Sequence, residues 1–234
     1  MNTFHSIAID GPSGAGKSTL ARRLARELGF IYVDTGAIYR TVGLAARRRD
    51  LDRRDWAAVS AMLPELDIRL GYDASGEQCM YLNGEDVSRE IRSPEISLCA
   101  SDVSALQGVR DYLMEMQRRL ARENNVIMDG RDIGTAVLPD AELKIFLTAS
   151  PQVRAKRRLL ELESKGVAAD FDQVLRDIRY RDAQDSGRAA APLRQAEDAV
   201  PVDTSDLDFE QSFRLLWELA VTRLSLVEAP SCGS

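Results

Sequence analysis

A single histidine, His5, occurs in the 234 residues of this chain. That leaves no basis for a Ser-His-Asp or Cys-His catalytic arrangement or for a histidine-built metal centre. Cysteine is almost as scarce. Cys79, Cys99 and Cys232 are odd in number, widely spaced, and show neither metal-ligand nor redox spacing. They read as free thiols in a reducing compartment, with Cys79 and Cys99 packing as small apolar residues. No apolar run approaches the ~20 residues that span a bilayer, so no membrane partner is expected. The N-terminus runs straight into a strand and loop assigned to the core, which argues against a signal peptide and makes the cytoplasm the expected compartment. Positive charge is not in excess either: 31 Lys and Arg stand against 37 Asp and Glu, a formal net of −6. That balance argues against a general nucleic-acid binder. An anionic substrate would have to be met by locally grouped arginines. No internal repeat and no low-complexity tract is present.

What is present is an ordinary globular composition, 44% hydrophobic, with ample chain for a buried core. Ser6–Asp10 is a short apolar run ending at glycine, as in a buried parallel strand. Lys17–Leu28 places Leu20, Ala21, Leu24, Ala25 and Leu28 on one helical face, and Gly29 stands where a helix stops. Phe30–Val33 reads as the next strand, completing a βαβ unit. Residues 36–49 and 54–63 read as helices. Ile68, Leu70 and Tyr72 alternate as in a half-exposed strand. Gln78–Leu82 is a second strand, Asn83-Gly84 a tight turn, and Val87 lies on a third. Val109–Arg122 reads as helix, Val126–Asp129 and Leu143–Leu147 as buried strands. Helices are expected from Ser150-Pro151 to about Lys165, from Phe171 to about Gln184 and from Phe209 to Leu226, with Val200–Val202 a last strand. The whole is an α/β fold: a parallel sheet flanked by helices, interrupted by an insert with a small antiparallel sheet and by a charged helical hairpin.

Gly11-Pro12-Ser13-Gly14-Ala15-Gly16-Lys17-Ser18 matches G-x-x-x-x-G-K-[ST] throughout, between a strand and a helix. Glycines let such a loop curl so that successive N–H groups face phosphate oxygens, and the helix adds the positive end of its dipole. Lys17 supplies a point charge to the β- and γ-phosphates. Ser18 offers a hydroxyl to Mg²⁺, with Thr19 a second hydroxyl nearby. Asp129, closing an apolar strand, suits the carboxylate that holds the magnesium through water, although Asp129-Gly130 is also good turn chemistry. ATP with Mg²⁺ is the expected ligand. A GTPase switch, a motor ATPase and a small-molecule kinase all use this loop. No Asn-Lys-x-Asp guanine signature appears.

Arginines separate these classes. Arg40 follows the second strand and Arg131 follows Asp129, both at the carboxyl edge where open α/β sheets bind ligands. Arg154, Arg157 and Arg158 share a helix face, and Arg181, Asp185 and Arg188 another. For Arg154 and Arg158, with Glu161 and Glu163 close by, a solvated surface pair is an equal reading.

Taken together, Ile9–Ser18, Asp34-Thr35-Gly36-Ala37-Ile38-Tyr39-Arg40, Asn83–Val87, Asp129–Asp132 followed by Gly134-Thr135, Lys144–Leu147 and Arg188–Leu193 resemble the bacterial cytidylate kinases over nearly the whole chain. The resemblance implies a P-loop core (1–40, 105–149 and 188–227), a monophosphate-binding insert (41–104), a helical lid (150–187) and a disordered tail (228–234). It implies phosphoryl transfer from ATP to CMP or dCMP by a monomer. CMP would be held by Thr35, Arg40, Ser101, Arg110, Arg131, Asp132, Arg181, Asp185 and Arg188. Ser101, Arg110 and Asp132 would read the base. Lys17, Arg131, Arg157 and Arg188 would carry catalysis, with Asp34 orienting groups or metal-bound water. Taken by themselves, Ser101 and Arg110 read as a helix cap and a surface charge. A shikimate-type kinase would share the loop and lid arginines without the insert's sheet, and a nucleotide-dependent switch would need no second anion site.

Overall fold

A computed structural model describes residues 4–53, 55–164 and 166–226. Cys232, the expected tail at 228–234, and Arg54 and Lys165, read above as helix ends, lie outside the described residues. In chain order the elements are β1 (Ser6–Asp10), α1 (Lys17–Leu28), β2 (Ile31–Asp34), α2 (Thr35–Arg48), α3 (Trp56–Met62), β3 (Ile68–Tyr72), β4 (Gln78–Leu82), β5 (Glu85–Asp86), α4 (Pro94–Ser104), α5 (Gln107–Glu123), β6 (Val126–Gly130), β7 (Leu143–Thr148), α6 (Pro151–Ser164), α7 (Phe171–Gly187), β8 (Val200–Asp203) and α8 (Phe209–Arg223). Short 3-10 turns lie at Leu63–Glu65 and Glu90–Arg92, and a π-turn at Ile133–Val137. The chain divides into two units, one running up to Tyr32 and from Ala121 onward, the other Val33–Leu120.

The first unit is built on a five-stranded sheet of order β2-β6-β1-β7-β8. β1 runs parallel to β6 and to β7, and β7 parallel to β8. β1 and β6 are buried at every position, which is why Ile7–Ile9 and Val126–Met128 are continuous apolar runs, each followed by a buried aspartate. Ile7, Ile9, Leu20, Leu24, Ile127, Ile145, Leu147 and Leu216 form one core between strands, α1 and α8. Each such side chain contributes about 1.5–3 kcal/mol through burial. Gly29, in the left-handed region at φ 68°, closes α1. An Asp208–Gln211 capping box opens α8, which stops at Arg223, short of the expected Leu226. α6 and α7 pair around a small cluster of their own, Ala155, Val174 and Ile178. α7 runs to Gly187, three residues past the Gln184 expected from sequence.

In the second unit the antiparallel sheet has the order β3-β4-β5. Ile68 pairs with Leu82 and Tyr72 with Gln78. The β4–β5 turn is tight because Asn83 (φ 52°) and Gly84 (φ 84°) both take the left-handed conformation that Asn-Gly tolerates. Val87 lies just beyond β5 rather than on it. It is buried, and its N–H donates to the Met80 carbonyl at 2.9 Å. Helix α4 was not read from the sequence. Its Ser, Asp and Cys content gives a weak helical signal, yet Ser93 caps it by accepting the Ile96 N–H at 3.3 Å, ahead of a proline at the helix start. It packs on α2 at Gly43, where a Cβ would come within 2.9 Å of the Ala100 nitrogen. Among the described residues no helix is long and apolar enough to cross a membrane.

Candidate active site

The loop between β1 and α1 is shaped by what surrounds it. A Cβ on Gly11 would lie 1.9 Å from the Leu147 carbonyl oxygen, so no other residue fits between β1 and β7 there. Gly16 occupies the N-cap of α1 at φ 91°. Lys17, the first residue of that helix, is buried and turns back across the loop to donate from Nζ to the Pro12 carbonyl at 2.8 Å. Burial and the positive charge of Arg131 push its ammonium down to about 7, against the pull of Asp129, Asp10 and Asp185. A site that disfavours its own cations gains most when an anion arrives. Ser13 and Ala15 turn carbonyls toward α6: the Ser13 oxygen accepts from Arg154 Nη1 at 3.0 Å and the Ala15 oxygen from Arg157 Nη1 at 3.4 Å. Pro12 is buried while Gly14, Ser18 and Thr19 are exposed.

Ser18 Oγ donates to Asp129 Oδ2 at 2.7 Å, and the Tyr32 hydroxyl donates to Asp129 Oδ1 at 3.0 Å. A hydroxyl beside a carboxylate is a hard-oxygen pair that suits Mg²⁺, which takes one or two protein oxygens and completes its shell with phosphates and water. Consistent with so sparse a donor set, no group of three or more His, Cys, Asp or Glu able to hold a metal occurs among the described residues. Tyr32, which holds the second Asp129 oxygen, was not singled out from sequence.

Beyond β6 the chain makes a polar cluster. Arg131 Nε donates to Asp185 Oδ2 at 2.7 Å, and Nη1 to the Gly130 carbonyl at 3.2 Å. Asp132 is buried, with Arg188 Nη2 at 3.6 Å from its Oδ1. Arg188 Nε donates to the Ala191 carbonyl at 2.7 Å. The expectation that Arg181, Asp185 and Arg188 share one helix face is corrected: α7 ends at Gly187 and Arg188 is extended at φ −67°, ψ 141°. Its guanidinium reaches Asp132 from beyond the helix end, while Arg181 is exposed on α7 one turn before Asp185.

The shared face expected for Arg154, Arg157 and Arg158 also resolves into separate tasks. Arg154 is buried and grips both oxygens of Asp182 at 2.9 and 2.6 Å, with Nε on the Ala149 carbonyl at 2.8 Å. It pins α6 to α7 and to the phosphate loop. Arg157 donates from Nη2 to the Thr204 carbonyl at 2.7 Å and from Nη1 to Thr204 Oγ1 at 3.1 Å. Arg158 pairs with Glu161 at 2.7 Å in a half-exposed setting, a surface ion pair. Asp182 and Thr204 gave no sequence signal, because a lone Asp or Thr reads the same whether paired or solvated. Removing Arg154 leaves Asp182 and two loop carbonyls without their donor. Arg154→Ala is expected to lower stability by about 2 kcal/mol or more, roughly 4–8 °C in melting temperature for a chain this size. Thermal unfolding checks this; an unchanged melting temperature with collapsed turnover would instead put Arg154 on the substrate.

In the second unit, Arg40 lies on the second turn of α2, because Asp34 ends β2 and immediately caps the helix. Asp34 Oδ1 accepts the Ala37 N–H at 2.9 Å and Oδ2 accepts Arg40 Nη2 at 2.8 Å, so both oxygens serve α2. Arg40 Nε is buried with no hydrogen-bond partner among the described residues. Thr35, the first residue of α2, is buried. Arg110 is 2% exposed, its guanidinium 5.6 Å from the Tyr39 ring centre and donating to the Ser104 carbonyl at 3.3 Å. That rules out the surface-charge reading. Ser101 is exposed inside α4, not at its cap, which is Ser93.

Asp10 was also missed. It closes β1, is buried, and accepts the Ile133 N–H at 2.8 Å and the Gly134 N–H at 2.7 Å. Burial outweighs those bonds and holds its carboxyl up at about 6. A carboxylate on a fully buried strand is itself the signal that could have found it.

Among solved structures, an uncharacterized protein from Eubacterium ventriosum shares the fold, with a TM-score of 0.50 at 12% identity over 92% of this chain and 96% of that one. Likeness in sequence is far stronger. A cytidylate kinase from Caldicellulosiruptor bescii is 50% identical over 214 residues, 92% of this chain and 94% of its own. A cytidylate kinase from Syntrophotalea carbinolica is 46% identical over 234 residues, 100% of this chain and 99% of its own. Residues 7–220 match the family described as Cytidylate kinase, a span that takes in the phosphate loop, the Asp129–Asp132 turn and the arginines of α6 and α7. With the loop, the Ser18–Asp129 pair and the arginine cluster in place, the chain belongs to the cytidylate kinase family.

Proposed function

We propose that the chain transfers the γ-phosphoryl group of ATP to CMP or dCMP, giving ADP and CDP or dCDP, in pyrimidine nucleotide metabolism in the cytoplasm. The observation that carries this reading is the pairing of a complete phosphate loop with a second set of phosphate-suited cations, Arg131 and Arg188, in the same unit. A switch or motor that hydrolyses its nucleotide has no use for the second set.

Phosphoryl transfer asks little covalent chemistry of the protein. It asks that two anions be aligned and that charge on the transferring group be neutralised. Lys17 and the loop amides take the β- and γ-phosphates. Arg131, Arg157 and Arg188 neutralise the transferring group and the monophosphate. Ser18 and Asp129 would hold Mg²⁺, which supplies further charge neutralisation when bound. The acceptor is a phosphate oxyanion near neutral pH, so no strong general base is needed. The resemblance assigns Thr35, Arg40, Arg181 and Asp185 to the monophosphate and ribose, and Arg40 Nε, buried with no hydrogen-bond partner among the described residues, is a donor suited to a phosphate oxygen. The α6–α7 hairpin serves as the lid, and closure excludes water, the competing acceptor.

Base choice follows from donor and acceptor pattern. Cytosine offers an amine beside ring and carbonyl acceptors. Asp132 accepts from the amine, while Arg110 and Ser101 donate to the acceptors. Uracil would set a carbonyl oxygen against the Asp132 carboxylate, and an unpaired buried acceptor costs roughly 1–3 kcal/mol or more when charged. Asp132→Ala is therefore expected to narrow the CMP-over-UMP ratio of kcat/KM by about ten-fold while ATP binding changes little. An unchanged ratio removes Asp132 from base reading.

A coupled assay over CMP, dCMP, UMP, AMP and shikimate, with ATP and magnesium, tests the whole reading. Turnover should be highest with CMP or dCMP. Preference for shikimate would make this a different small-molecule kinase, and slow ATP loss with no acceptor would make it a switch.

A further inference from the structure

We propose that Asp10 is a positioning residue for the monophosphate side of the reaction: with Lys144 it sets the course of residues 131–139, and through that segment the aim of Arg131 and Asp132. The inference rests on the reading of those residues as CMP contacts.

Asp132 sits at φ −147°, ψ 24°, as the cap of the π-turn, its carbonyl accepting the Ala136 N–H at 2.9 Å and the Val137 N–H at 3.3 Å. The next two residues are held by a side chain from β1. Asp10 Oδ1 accepts the Ile133 N–H at 2.8 Å and Oδ2 accepts the Gly134 N–H at 2.7 Å. Two consecutive amides gripped by two rigidly linked oxygens fix the peptide planes immediately after Asp132. The far end is held as well. Lys144 Nζ donates to the Pro139 carbonyl and to both oxygens of Asp198, at 2.9 and 2.8 Å. Lys144 pairs with Ala8 across β1 and β7, and Asp10 lies two residues beyond Ala8. Both charged side chains thus leave the same face of the sheet. Gly134 lies between them: a Cβ there would come to 3.1 Å from Lys144 Cδ and 3.4 Å from Asp10 Oδ2. Asp10 is 5% exposed and Lys144 7% exposed, and burying such groups is costly unless they are fully used. Their use is to hold a turn, and that turn carries Arg131 and Asp132. Because Asp10 directly precedes the phosphate loop, the same residue ties the registration of that turn to the strand that presents ATP.

The test is Asp10→Asn in the full chain. A carboxamide keeps one accepting oxygen and sets its NH₂ against the other amide, donor facing donor. We expect kcat/KM for CMP to fall by about ten-fold or more, the CMP-over-UMP ratio to narrow, and KM for ATP to stay within about two-fold. A purely structural role would lower the melting temperature and the amount of active enzyme while leaving both KM values and the base ratio as they are. Gly134→Ala, which crowds the Lys144 stem and the Asp10 carboxylate, should reproduce the CMP-selective loss in milder form and serves if Asp10→Asn does not fold. Loss of ATP and CMP parameters in equal measure, or an unchanged CMP-over-UMP ratio in a folded variant, overturns the proposal while leaving the activity itself standing. Wild-type protein that makes no CDP overturns the functional reading, and this proposal with it.

Discussion

Lys17→Ala is expected to reduce phosphoryl transfer by about a thousand-fold or more while leaving the melting temperature unlowered. The two halves of that result have separate causes. Lys17 is the only charged residue in the Gly11–Ser18 loop, so in the proposed role it is the side-chain charge that would meet the β- and γ-phosphates, and alanine restores none of it. Folding, by contrast, is on balance opposed by the ammonium's charge, because burial and Arg131 outweigh the pull of Asp129, Asp10 and Asp185. Among the described residues the Lys17 side-chain hydrogen bond goes to the Pro12 carbonyl at 2.8 Å. Burial and Arg131 hold its pKa at about 7, far below the ordinary lysine value of 10.5. A lysine with a depressed folded-state pKa binds fewer protons folded than unfolded between those values, so its charge opposes folding most below pH 7 and ceases to matter above pH 10.5. Removing it relieves that opposition. Steady-state kinetics with CMP and a thermal melt on the same sample decide the matter; near-normal turnover would refute the loop's assignment.

Arg188→Ala is expected to cost about a hundred-fold or more in kcat/KM for CMP, since the proposed site then loses a guanidinium that would face the transferring and monophosphate oxygens. Arg188 is 11% exposed at its side chain, stands 3.6 Å from Asp132 and donates to the Ala191 carbonyl at 2.7 Å. Those contacts leave a modest stability loss, about 1 kcal/mol, that must be separated from the kinetic effect. Arg188→Lys provides the separation. It keeps a charge but not the planar fork, so a folded Lys variant with turnover still depressed assigns the loss to bidentate recognition. If instead both variants melt early yet turn over normally once folded, Arg188 is a structural cap for the end of α7.

Several features of the site are legible in the sequence alone. The phosphate loop is, because its information is contiguous: glycines where the backbone needs them, Lys17 and Ser18 next in line, an apolar strand before and an amphipathic helix after. Asn83-Gly84 announced its hairpin for the same reason. Asp129 was recognisable as a strand-end carboxylate, and Ser18 meets it across 111 residues. Less was legible where local signals were weak or misleading. α4 is built from poor helix formers and is stabilised by its fit to α2 at Gly43. Arg188 has the spacing to continue a helical face that in fact stops at Gly187.

Composition and order of residues by themselves determined the α/β class, the phosphate loop and the hairpin sheet, each of which depends on backbone preferences and hydrophobic periods that neighbouring residues encode together; the family was legible only as a resemblance of whole motifs. Only the tertiary structure decided which charges are paired inside and which face water. Arg154 on Asp182, Arg157 on Thr204 and Asp10 on the amides of Ile133 and Gly134 join residues 28, 47 and more than 120 positions apart. An isolated Arg or Asp has the same local propensities whether solvated or buried. Its partner is chosen by how strands and helices pack, and the energy of that choice comes from desolvation that no stretch of sequence displays.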